Sequence, residues 1–94
     1  ADIVAVGAPP AVIEFWSFRC EQSRHMAPRI SRIAATIGDN AAVYKANADE
    51  CVLLTSHFRI PLIPAVIALD AGVEIGRFVE DWFDEDVVAL FLGR

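Results

Sequence analysis

The spacing of apolar residues changes once in the first third of the chain, and the change falls near residue 20. Before it, Val12-Ile13-Glu14-Phe15-Trp16 is an almost unbroken β-branched and aromatic run, the pattern of a buried strand. After it, Met26, Ile30, Ile33, Ala34 and Ile37 recur at helical spacing, which predicts a helix from about Cys20 to Ile37. Pro28 removes a backbone donor inside that helix and is expected to kink it. Gly38-Asp39-Asn40 ends it, with glycine suited to a left-handed cap.

The remaining pattern is shorter-ranged. Ile3 to Val6 is a strand candidate, followed by the breaker Gly7-Ala8-Pro9-Pro10. Ala41 to Ala46 reads as a strand carrying Lys45. Asp49 is positioned as the N-cap of a helix from about Glu50 to Phe58. Two prolines within Arg59-Ile60-Pro61-Leu62-Ile63-Pro64 exclude regular structure, and either X-Pro bond is a candidate cis peptide. Ala65 to Leu69 and Val73 to Val79 predict a hairpin about Asp70-Ala71-Gly72. A final helix follows Asp81 or Asp84 as cap, with Val87, Leu90 and Phe91 facing inward. Strand, helix, strand implies a parallel pair with a right-handed crossover. The closing hairpin adds antiparallel strands, so the expected architecture is α/β, a mixed sheet with helices on both faces.

Composition narrows the function classes. The chain has 94 residues, enough for one modest core, so a single domain over residues 1–94 is expected. Hydrophobic residues make up 55%, which places it among packed globules rather than disordered chains. A net charge of −5 with no basic stripe argues against a nucleic-acid partner. No run of about 18 apolar residues exists, so a membrane span is not expected. Ala1 to Pro10 has neither a basic start nor a long apolar core, unlike a signal peptide. Cys20 and Cys51 lie too far apart in sequence to suggest a disulfide framework or a metal site, and no cofactor is implied. A reducing, cytoplasmic setting is the simpler expectation.

Cys20 is the leading chemical candidate. It falls where the strand ends and the helix begins, so unpaired N–H groups and the positive end of the helix dipole favour an anion there. The thiolate is the reactive form of cysteine. Arg19, Arg24 and His25 add cationic neighbours, while Glu21 opposes them. A small buried hydrophobe is the bland alternative for a lone cysteine.

Phe15-Trp16, Cys20-Glu21-Gln22-Ser23 and Pro28 together resemble the active-site segment of the thioredoxin family, in which an aromatic strand runs into Trp-Cys-Gly-Pro-Cys and a proline-containing helix. Ile63-Pro64-Ala65 is similar to that family's cis-proline loop, and Gly72-Val73-Glu74 to the hairpin after it. The resemblance covers Val12 to Leu92. It implies a thioredoxin-like fold with four to five strands, the family's first helix being missing or reduced. It also selects Pro64 as the cis proline.

By the same resemblance, Cys20 is the nucleophile and Ser23 stands in place of the resolving cysteine. Serine cannot break a mixed disulfide, but it can donate a hydrogen bond to a thiolate. Its bland role is to satisfy first-turn helix N–H groups. Glu14 and Lys45 match the carboxylate and lysine behind the family's active-site pair, and a partly buried ion pair between neighbouring strands is expected. Trp16 matches a packed tryptophan, with core as its default role. Ile63 and Pro64 match the platform that pairs with an extended substrate.

Other positions depart from the family. Arg19 stands where an exposed tryptophan is usual, and Glu80 where a groove glycine is usual, so an Arg19–Glu80 pair would repolarise the groove. Cys51 is expected to be too far from Cys20 for a disulfide, which needs Cα atoms within ~7 Å. His25 and His57 give no metal site. Trp82-Phe83, within an acidic run, is either cap and loop or a contact patch.

Two functions follow from the resemblance. One is a single-thiol exchange protein whose Cys20 forms mixed disulfides with glutathione or a protein or peptide client, as a monomer or weak dimer. The other is a redox-inactive binding or assembly module that uses the same groove.

Overall fold

The computed structural model describes residues 5, 7–79 and 84–92. Its elements are β1 (Ala11–Trp16), α1 (Glu21–Ile37), β2 (Ala42–Asn47), α2 (Val52–His57), β3 (Ala65–Asp70), β4 (Val73–Val79) and α3 (Asp84–Leu92). The candidate strand at Ile3 to Val6 lies outside the described residues, as do Asp81 as a cap and the Trp82-Phe83 patch.

The sheet order is β2-β1-β3-β4, with β1 and β2 parallel and β1–β3 and β3–β4 antiparallel. It is the mixed sheet expected of strand, helix, strand and closing hairpin. β1 and β3 occupy the centre because their residues are apolar on both faces. Ala11, Val12, Ile13 and Phe15 are buried on the first, and Ala65 to Leu69 on the second.

Period two then sorts each strand between two cores. Val12, Val66 and Ala68 meet Ile30, Ile33 and Ile37 of α1 and Val87 and Phe91 of α3. Ala11, Ile13, Phe15, Ala65, Ile67 and Leu69 face the other way, against Phe58 with Cys51, Leu54 and Ile60. Phe15 and Phe58 meet edge to face, with centroids 6.1 Å apart. Arg29 of α1 holds Asp84 of α3 at 2.8 Å, tying together the two helices on one face.

Helix α1 runs unbroken through Pro28, and Gly38, at φ 58°, turns the chain into a short 3₁₀ turn over Gly38–Asn40. The hairpin turn puts Ala71 at φ 53° and Gly72 at φ 81°, the two positive φ values that a two-residue type I′ connection requires.

Helix α2 differs from expectation. It spans Val52–His57, and Cys51 rather than Asp49 holds the N-cap position. The physical reason is Asn47. Its side-chain oxygen accepts the Asp49 N–H at 2.9 Å, and its carbonyl accepts the N–H groups of Glu50 and Cys51. These bonds form a turn that delays the helix.

Candidate active site

β1 delivers the chain to one end of the sheet, and a tight loop turns it into α1. Cys20 N–H donates to the Ser17 carbonyl at 3.1 Å. The Ser17 hydroxyl accepts from Arg19 N–H at 3.1 Å and donates to the Asp49 carboxylate at 2.7 Å. The Trp16 carbonyl accepts Ala48 N–H at 2.8 Å. The loop before the cysteine is therefore fastened to the loop after β2.

Cys20 takes the extended N-cap conformation of α1 (φ −104°, ψ 110°), without a side-chain cap bond. Its sulfur is half-buried and 3.5 Å from the Ile63 carbonyl oxygen. The Ile63–Pro64 peptide is cis. The two segments the resemblance singled out thus meet at this sulfur.

The Ser23 hydroxyl holds the Cys20 thiol below the ordinary thiol range, and the N–H groups of Ser23 and Gln22 and the charge of Arg24 act in the same direction. Partial burial opposes them. The cation that counts is thus Arg24. Glu21 and His25 instead face each other at 4.0 Å on the solvent side. Ser23 is itself buried and accepts the Ser17 N–H at 3.3 Å, so its oxygen is fixed between the loop and the sulfur.

Glu14 and Lys45 are register partners on β1 and β2. Glu14 is 2% exposed, and its Oε2 has no hydrogen-bond partner. Burial pushes its carboxyl up, and the charge of Lys45 offsets this only in part. The expected ion pair is therefore not a close contact. Lys45, on the edge strand β2, is itself exposed, which keeps its ammonium within reach of water. Trp16 is also only half-buried, and its indole N–H lacks a partner. Its ring meets that of Phe18 edge-on at 4.7 Å.

Beside these groups opens a cleft of about 270 Å³, lined by Glu14, Trp16, Phe18, Ser23, Arg24, Ala27 and Lys45. Arg19 is exposed. Glu80, and with it the proposed Arg19–Glu80 pair, lies outside the described residues. Cys51 is a free, half-buried thiol against the second core. No group of three or more His, Cys, Asp or Glu side chains is arranged to hold a metal among the described residues. No helix among them is long and apolar enough to cross a membrane.

Residues 1–91 match the profile of the thioredoxin family. The chain belongs to that family. It is 33% identical over 73 residues to a thioredoxin of Alicyclobacillus acidocaldarius, covering 78% of this chain and 70% of that one. Thioredoxin 1 of Synechococcus elongatus is 30% identical over 70 residues, 74% of this chain and 65% of the relative. Among solved structures, the thioredoxin of Malassezia sympodialis superposes with a TM-score of 0.74 at 27% identity, over 81% of this chain and 67% of that one. The reduced thioredoxin of Schistosoma mansoni has a TM-score of 0.80 at 22% identity, over 89% and 80%, a likeness of fold. The thioredoxin-like sheet is thereby established, and membership supports thiol–disulfide redox chemistry in general terms.

Two residues of this thioredoxin-family site are invisible to the motif. Ser17 and Asp49 form the clasp behind Cys20, yet Asp49 has the sequence signal of a helix cap and Ser17 that of an ordinary loop serine. A polar residue immediately after a buried strand, destined for burial itself, was the available hint.

Proposed function

We propose that this thioredoxin-family protein is a single-thiol exchange protein whose nucleophile is Cys20. The observation that carries the reading is one sulfur at the start of α1, held toward its ionised form by Ser23 and facing the carbonyl before Pro64. In the exchange, the Cys20 thiolate attacks a disulfide of a protein client or of glutathione. An S–S bond forms to Cys20 as the old one breaks, and the departing sulfur leaves as a thiolate. Ser23 has no thiol to displace the product. An external thiol, deprotonated as it attacks, therefore completes the cycle and returns Cys20 as a thiolate. Electrons balance as two thiol–disulfide exchanges.

Ile63 and Pro64 are proposed to align an extended client, with Arg19, Trp16, Glu14 and Lys45 as support. The setting proposed is a reducing, cytoplasmic one. A redox-inactive binding module has no use for a thiol favoured in its charged form, which weighs against the second reading.

The test is site-resolved alkylation across pH, followed by mass spectrometry with Cys51 in the same molecule as reagent control. Cys20 is expected to react as a thiolate well below the reference value of ~8.5. Ser23→Ala should move that profile upward and slow Cys20 alkylation at pH 7 by about threefold to tenfold. A Cys20 that is inert, or that keeps its profile after Ser23→Ala, would sink the proposal.

A further inference from the structure

Ser17, the first residue after β1, is 6% exposed, and each of its polar groups is in a hydrogen bond. Its N–H donates to the Ser23 hydroxyl at 3.3 Å, its carbonyl accepts the Cys20 N–H at 3.1 Å and its hydroxyl accepts the Arg19 N–H at 3.1 Å. Those bonds end on residues around the sulfur. A further one runs out of the loop, from the hydroxyl to the Asp49 carboxylate at 2.7 Å, 32 residues along the chain. Asp49 is itself held at the end of β2, because its N–H is bonded to the Asn47 side chain at 2.9 Å.

A serine hydroxyl has one hydrogen to donate. Committed to a carboxylate, at the short distance of a charge-assisted bond, it fixes the side-chain rotor and turns the oxygen lone pairs to the Arg19 N–H. The backbone immediately before Cys20 is thereby set. On the other side, Ser23 spends a lone pair on the Ser17 N–H, which leaves its own hydrogen for the sulfur.

We propose that Ser17 and Asp49 are positioning residues for Cys20, the bond between them holding the loop where the Ser23 hydroxyl and the first N–H groups of α1 meet the sulfur. This role presupposes the reading of Cys20 as the exchange nucleophile. Asp49 acts through Ser17 and not by its charge. By charge alone, a carboxylate near a thiol disfavours the thiolate, and its removal would favour ionisation. By positioning, its removal has the opposite effect, because the bonds to the sulfur loosen. The sign separates the two.

The test is the pH profile of Cys20 alkylation, resolved from Cys51 by mass spectrometry, in Ser17→Ala, Asp49→Ala and the double variant. Each single variant is expected to move the Cys20 profile to higher pH and to slow alkylation at pH 7 by about threefold. The double variant should be no slower than the slower single one, because the same bond is lost in all three. Asp49 is exposed, so Asp49→Ala spares the core and decides the matter if Ser17→Ala does not fold. A parent Cys20 that reacts as a thiolate, while Asp49→Ala keeps its profile or moves it to lower pH, overturns the positioning role and leaves the exchange reading standing. Effects that add in the double variant do the same. A parent Cys20 that is inert overturns both.

Discussion

At the scale of single residues, the cluster around Cys20 divides its charges in opposite ways. Cys20 is pushed toward its anion by hydrogen bonds, whereas Glu14 is pushed away from its anion by burial. The thiol and the carboxyl are thus shifted in opposite directions by different causes, hydrogen bonds in the one case and burial in the other. The second shift carries a stability consequence. Because the folded-state pKa of Glu14 is raised, the native protein holds a proton that the unfolded chain has already released. Stability contributed at Glu14 thus falls as pH rises from the ordinary carboxylate value of ~4.3 through the raised one, and is level above it. Glu14→Gln removes that dependence. The variant is expected to gain on the parent in urea midpoint between pH 4 and pH 8, and a difference constant across that range would contradict the assignment.

At the scale of elements, the hairpin between β3 and β4 is built correctly but with one poorly suited residue. A type I′ turn needs positive φ at both central positions, and alanine at φ 53° carries the Cβ clash that glycine avoids and asparagine tolerates. Ala71→Asn should stabilise the protein by about 0.5–1 kcal/mol. For a domain of this size that raises the melting midpoint by roughly 2–8 °C, measurable by calorimetry. A lower midpoint would mean that the turn does not hold this geometry in solution. On the opposite side of the same hairpin, Arg77 grips Glu74 at 2.9 Å and reaches the Phe58 and Arg59 carbonyls. β4 is thereby also a clamp on the end of α2, where Arg59 takes a positive φ of 51°.

At the scale of the molecule, one sheet separates two cores. Ile33 lies in the one under α1 and α3, and Ile67 in the one under α2. Each is at most 1% exposed. Ile33→Ala and Ile67→Ala should each cost about 2–5 kcal/mol. That is a large share of the ~5–15 kcal/mol available to a small domain. Because β1 and β3 belong to both cores, each variant should still unfold in one transition. Separate transitions by fluorescence and far-ultraviolet dichroism would show that the faces melt independently.

The elements and their order could be read from the chain because their causes are local. β1 and β3 are apolar on both sides, α1 repeats at helical spacing from Ile30 to Ile37, and Gly72 marks a turn. The site nucleophile could be read for the same reason, since Cys20 falls at a change of period. What the chain could not reveal depended on which loops meet. Asp49 looks like a cap until the loop after β2 is brought beside Ser17. Glu14 and Lys45 look like an ion pair until the fold buries the carboxyl and leaves the lysine exposed on the edge strand without a close contact. The carbonyl of Ile63 faces a sulfur 43 residues away only because β1 and β3 are neighbours. Propensity and periodicity act over a few residues, so the sequence alone determined the elements and the thiol. Partners across the sheet are chosen by packing the whole chain at once, and that decided what surrounds the thiol.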